Sequence, residues 1–176
     1  MIDFAALRTA NNARQVEWPV NEEADLEFRA LEVADEAGEV IGAVKKLLRA
    51  RRGIAGSTLD VQAVADEIGD TIVSLDLLAN QLGLDLIAPV QSPNSSLPLP
   101  RLTLRLHTVS GDLTCAMEDF LNEAAGEEGN YYLAEFMASI VFWLTCIAAD
   151  LNIDPGKAVI EKFNKTSEKY GLATRL

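Results

Sequence analysis

The residues best suited to chemistry in this sequence are carboxylates. Glu32, Glu36 and Glu39 follow one another at four- and three-residue steps, which puts all three on one face of a helix. Glu67 and Asp70 repeat the three-residue step further on. Between residues 61 and 82 the only charged residues are Asp66, Glu67, Asp70 and Asp76, set among Val, Ile, Leu and Ala. A helix of that composition has to be buried on most sides, and burying unpaired carboxylates costs several kcal/mol each. Acids converging from two helices raise that cost, and a hard divalent cation with a preference for oxygen ligands relieves it. A salt bridge to Lys or Arg is the alternative for any one of them. Zinc would ask for Cys and His ligands, and a di-iron bundle for Glu-x-x-His pairs. The single histidine, His107, lies far from both acid pairs in sequence and is expected to be a structural or surface residue. Magnesium, with manganese as a possible substitute, is the cation expected.

Nearly the whole chain reads as helix, so these acids are placed by a bundle. Asp3 can cap a first helix reaching Trp18. A second spans about 25–52, with arginines in its last turn and Gly53 as the stop. Ser57 or Asp60 can cap a third that runs to Leu82 and Gly83. Residues 89–100 carry four prolines and three serines and read as a break. Helices resume over about 102–125, 131–151 and 155–169, the last with a proline in its first turn. The domain reading is an acid-bearing half at 1–86, a Pro/Ser-rich linker at 87–101, and a second helix pair with a basic tail at 102–176, all in one compact domain.

Composition bounds the partners. The 176 residues carry a net charge of −12, which disfavours coating a nucleic acid polymer. The positive charge is gathered in two clusters, Lys45, Lys46, Arg49, Arg51 and Arg52, and Lys157, Lys162, Lys165, Lys169 and Arg175, either of which can be a solvated helix face. A small anionic substrate fits such concentration. Cys115 and Cys146 lie in apolar segments without metal-binding spacing and are expected as reduced core residues of a cytoplasmic protein. Asp3, Arg8 and Arg14 interrupt any signal-peptide-like run. The most apolar stretch, 136–149, falls short of a membrane span of about 20 residues.

The two sides of the linker resemble each other. Leu82-Gly83-Leu84-Asp85 corresponds to Leu151-Asn152-Ile153-Asp154, and Gly38-Glu39-Val40 to Gly111-Asp112-Leu113. The expected architecture is therefore an all-α bundle built from an internally duplicated helix pair; the alternative is that any two amphipathic helices align this well. In the second copy Val109, Asp112, Phe136 and Ser139 stand where the first has Glu36, Glu39, Glu67 and Asp70, so it keeps no complete metal site.

Glu36-Ala37-Gly38-Glu39 followed by Glu67-Ile68-Gly69-Asp70 resembles the ExxE…ExxD signature of the MazG-like, all-α nucleoside triphosphate pyrophosphohydrolases. Asn12-Ala13-Arg14 with Glu17-Trp18, then Lys45-Lys46-Leu47, Gly56-Ser57 and the tail from Lys162 to Gly171 are similar to a short subfamily of that group. The resemblance covers 3–86 and about 152–174; residues 87–151 depart from it. It implies magnesium held by Glu36, Glu39, Glu67 and Asp70 and an activated water attacking the α-phosphorus, with Glu32 or Glu36 as general base. It also implies nucleotide contacts from Asn12, Arg14, Trp18, Lys46, Lys162, Asn164 and Lys165. The expected activity is hydrolysis of a (deoxy)nucleoside triphosphate to monophosphate and pyrophosphate, by a homodimer with one site per chain and no membrane partner. A nucleotide-sensing module without turnover and a metal-stabilised helical scaffold remain the alternatives.

Overall fold

Aspartates start four of the helices. The Asp3 carboxylate accepts from the Ala6 amide at 2.9 Å, Asp25 from Phe28 at 2.9 Å, and Asp60 from Ala63 at 3.0 Å. Asp154 accepts from Gly156 at 2.9 Å and Lys157 at 3.2 Å. Each bond satisfies amides that a helix N-terminus leaves without a partner. The helices are α1 (Phe4–Glu17), α2 (Leu26–Arg51), α3 (Val61–Gln81), α4 (Leu99–Leu121), α5 (Gly129–Asp150) and α6 (Pro155–Lys169), with a 3₁₀ turn at Asn21–Glu23. The structure, a computed structural model, describes residues 1–87, 95–123 and 129–176, and those residues contain no strand.

The expected helix boundaries need two corrections. α4 begins at Leu99, inside the segment read as linker, because Pro100 occupies its first turn, where a missing amide costs nothing. The middle of that linker, 88–94, lies outside the described residues, as do 124–128 after α4. α5 begins at Gly129, and at 22 residues it is long and apolar enough to cross a membrane, contrary to the expectation from its most apolar stretch. Half of its most apolar window is nevertheless buried in the bundle, and Leu133, Met137, Ile140, Val141 and Leu144 lie in the core.

α3 is the centre of the bundle. It packs on α1, α2, α5 and α6, while α2 and α3 form one helix hairpin, α4 and α5 another, and α2 joins the two through α4. Every residue of α3 from Thr71 to Ala79 is buried. One buried cluster takes side chains from all six helices, among them Leu7, Val40, Ile68, Leu106, Ile140 and Phe163. The two halves thus share a core, each fully buried Leu or Ile contributing roughly 1.5–3 kcal/mol. Asp76, 1% exposed in that core, is neutralised by Arg8 (Nε–Oδ1 2.9 Å) and the Asn11 amide (2.9 Å). That acid is therefore a structural one.

α3 and α5 end in the same turn. Gly83 and Asn152 have φ of +67° and +56°, and the amides of Leu84 and Ile153 each reach back 2.8 Å to the carbonyls of Ala79 and Ala148. α2 and α6 end the same way, at Gly53 and Gly171. The match is a shared helix-stop geometry and by itself no mark of duplication. Cys146 is buried, but Cys115 is exposed; on α4 it lies between inward-facing Leu113 and Met117 and falls on the outer face.

Candidate metal and substrate site

α2 and α3 face each other over part of their length, and their acids meet there. Carboxylate oxygens of Glu36, Glu67 and Asp70 all lie within 4.8 Å of one another. Among the described residues this is the only group of acidic, His or Cys side chains so gathered. Oε2 of Glu36 and Oε2 of Glu67 are buried and have no hydrogen-bond partner. Burial pushes the Glu36 carboxyl up to about 8, with Asp70, Glu39 and Glu67 adding repulsion and Lys162 opposing. Glu67 is raised by burial against the pull of Lys162, with Glu39 and Asp70 adding to it. Glu39 is exposed but close enough to act on all three. Clustered acids with two orphaned oxygens and no nitrogen or sulfur donor suit a hard cation such as magnesium, so the residues present fit the ion expected there.

α6 supplies the counter-charge. Lys162 bonds Asp70, and Lys165 reaches Asp66 at 2.6 Å. Asp70 stays raised because burial outweighs the Lys162 bond. Burial disfavours the Lys162 ammonium, but Asp70, Glu67 and Asp66 together outweigh it and raise its pKa. This contact depends on Gly69, where a Cβ would come within 2.6 Å of the Ala158 carbonyl oxygen. α3 and α6 approach backbone to backbone just beside the acids, which only glycine permits.

Beside the acids opens a cavity of about 640 Å³, within the usual range for small-molecule sites. Glu36 and Asp70 line it together with Lys162, Lys165 and Lys169 and the rings of Trp18, Phe28 and Tyr170. Arg14, 4% exposed, lies over the Phe163 ring at 3.7 Å and donates to the Phe163 carbonyl at 3.2 Å. Its Nε has no partner. Burial lowers the Arg14 pKa to about 10, Asp70 opposing and Arg29 adding to the shift, so it stays charged at neutral pH.

The cavity gathers Arg14, Trp18, Glu32, Glu36, Asp70, Lys162 and Lys165 from the residues singled out by sequence. Asn12, Glu39, Lys46, Glu67 and Asn164 are not among its lining. Asn12 accepts from Asn80 on the bundle surface at 2.8 Å, and the Asn164 amide is occupied by Leu176. Glu32 is paired with Arg29 at 2.7 Å, whereas Glu36 has a buried oxygen without a partner. Arg29, missed by the sequence reading, is 5% exposed and donates also to Gln15 at 2.7 Å and Asn21 at 2.6 Å. Its one sequence signal was its place three residues before Glu32. In the second helix pair, Val109 is buried, Asp112 exposed, and Phe136 and Ser139 half-buried, and they form no acid cluster.

The chain has no match among protein-family models, curated proteins or solved structures. What the site can do is therefore read from its own residues.

Proposed function

We propose that the protein is a magnesium-dependent nucleoside triphosphate pyrophosphohydrolase, releasing a nucleoside monophosphate and pyrophosphate. The observation carrying this reading is the cluster of Glu36, Glu67 and Asp70, with two orphaned buried oxygens, of which Glu36 and Asp70 line a cavity together with lysines and aromatic rings. An acidic cluster alone repels a polyphosphate, whereas acids facing a cation suit one. Glu36, Glu39, Glu67 and Asp70 would hold magnesium, which when bound supplies Lewis-acid polarisation of phosphate oxygens and acidifies water.

The chain's own residues carry the remaining work. Lys162 and Lys165, now on Asp70 and Asp66, stand where they can exchange a carboxylate for phosphate oxygens. Arg14 adds a buried charge with one donor unspent. Trp18, Phe28 and Tyr170 offer flat apolar surface to a base and exclude water from it. Glu36 is the proton acceptor, since Glu32 is held by Arg29 while a buried oxygen of Glu36 has no partner. Incubation with magnesium and a panel of ribo- and deoxynucleoside triphosphates, with pyrophosphate quantified, tests the reading. Pyrophosphate release that Asp70→Asn abolishes is expected; no release from any nucleotide would overturn it.

A further inference from the structure

Residues 171–176 do not trail into solvent. Gly171 turns the chain at φ +68°, Leu172 is buried at 8% exposure, and residues 173–176 lie across the ends of α1 and α6. The Glu17 carboxylate at the end of α1 collects three donors: the Ala173 amide at 2.5 Å, the Thr174 amide at 3.1 Å and the Thr174 hydroxyl. Asn164 on α6 makes a reciprocal pair with Leu176, accepting from its amide at 2.9 Å and donating to its carbonyl at 3.1 Å. Arg175 folds back to the Leu172 carbonyl at 2.6 Å. The two anchors flank the site: Glu17 precedes Trp18, and Asn164 stands between Phe163 and Lys165.

We infer that Glu17 and Asn164 are positioning residues, which strap residues 171–176 across the bundle and so hold Trp18 and Tyr170 together as one wall of the cavity. The two rings stand 4.8 Å apart, tilted by 50°, and both line the cavity. Neither belongs to the regular part of a helix. Trp18 is the C-cap of α1, and Tyr170 the C-cap of α6; their amides close the last turn on the carbonyls of Arg14 and Thr166, and the helix does not continue past either ring. The chain after Trp18 leaves the helix direction through Val20 at φ +59°. The bonds that do join these two helix ends are those of Glu17 to Ala173 and Thr174 and of Arg14 to the Phe163 carbonyl. A carboxylate taking several amide and hydroxyl donors is a strong and directional anchor even at an exposed position. The acids sit on α2 and α3, away from the strap, so its loss should reach binding and leave the chemistry intact. This last point rests on the nucleotide reading of the cavity above.

The test uses the full chain labelled with 5-fluorotryptophan, which gives one ¹⁹F signal each for Trp18 and Trp143. Glu17→Ala, Asn164→Ala and Thr174→Val are compared with the parent, with thermal unfolding recorded for each. The Trp18 signal is expected to shift and broaden in Glu17→Ala while that of Trp143 stays put. KM for the nucleotide should rise about tenfold, the scale of one lost base–aromatic contact, with kcat within about twofold. Glu17→Ala combined with Thr174→Val should do little more than Glu17→Ala alone, because both cut the same tie. A Trp18 signal unchanged in both Glu17→Ala and Asn164→Ala would overturn the inference whatever the kinetics. A Trp18 signal that moves while KM stays constant for every nucleotide hydrolysed would uphold the strap and overturn the nucleotide's place against this wall.

Discussion

Replacing Glu36 with glutamine should stabilise the metal-free protein, and only at higher pH. The Glu36 carboxyl is pushed from its ordinary 4.5 up to about 8, chiefly by burial and then by Asp70, Glu39 and Glu67. Below pH 4.5 it is protonated in both folded and unfolded chains and contributes no difference. Between those values the unfolded chain releases the proton while the folded one keeps it, so the folded state loses stability as pH rises, and the loss is complete near pH 8. Each unit of that window is worth at most about 1.4 kcal/mol. Solvent screening at this half-buried position reduces the total to about 2 kcal/mol. Glutamine cannot ionise, so Glu36→Gln removes the penalty, and for a chain of this length about 2 kcal/mol moves Tm by about 4–8 °C. Thermal unfolding of both proteins in chelator at pH 5 and pH 8 measures it. The variant should gain at pH 8 and hardly at pH 5, and saturating magnesium should reverse the order, because the parent gains ligand-linked stability that the variant lacks. Equal shifts at both pH values, or a loss at pH 8 in chelator, would refute the reasoning.

The same geometry sets further outcomes. Glu39→Ala and Asp70→Ala should each lower magnesium-dependent turnover by at least about 100-fold, with the helical circular dichroism of the parent retained. Gly69→Ala should cost about 1–3 kcal/mol, because its methyl group meets the Ala158 carbonyl oxygen at 2.6 Å; chemical denaturation reads the cost, and a raised KM reads the displacement of Lys162. Arg29→Met should leave Glu32 without its buried partner and free the side chains of Gln15 and Asn21, for a loss of about 2–4 kcal/mol in denaturant unfolding. Phe163→Ala should destabilise by about 3–5 kcal/mol, since that ring is 1% exposed; for the same reason deleting all of α6 would unfold the protein and cannot isolate the role of its lysines.

The parts of this fold legible in the sequence were those written in local chemistry. Asp3 and Asp60 announce helix starts, and Gly53 and Gly83 helix stops, because caps and left-handed turns demand particular residues within a few positions. The acids of α3 were legible because carboxylates are out of place in so apolar a segment, and those of α2 because their spacing puts them on one face. Their counterparts were not. Arg29 bonds Gln15 of α1 and Asn21 of the 3₁₀ turn, and Lys162 meets Asp70 from α6, so no local spacing encodes either contact. The partner of Asn164 was illegible for a related reason: an amide near Lys162 and Lys165 suits a ligand as well as a backbone, and only the fold brings Leu176 to it. Asp76 shows the converse, an acid in the same apolar helix that Arg8 and Asn11 neutralise without any ion.

The central claim, that this site cleaves a nucleotide between its α- and β-phosphates, is tested most directly by where the oxygen of water ends up. Turnover of the preferred nucleoside triphosphate in ¹⁸O-water with magnesium, followed by mass spectrometry of the products, reads the position. The account predicts label in the nucleoside monophosphate, unlabelled pyrophosphate, and no turnover by Asp70→Asn. Label in pyrophosphate or inorganic phosphate, or turnover that survives loss of Asp70, would contradict it.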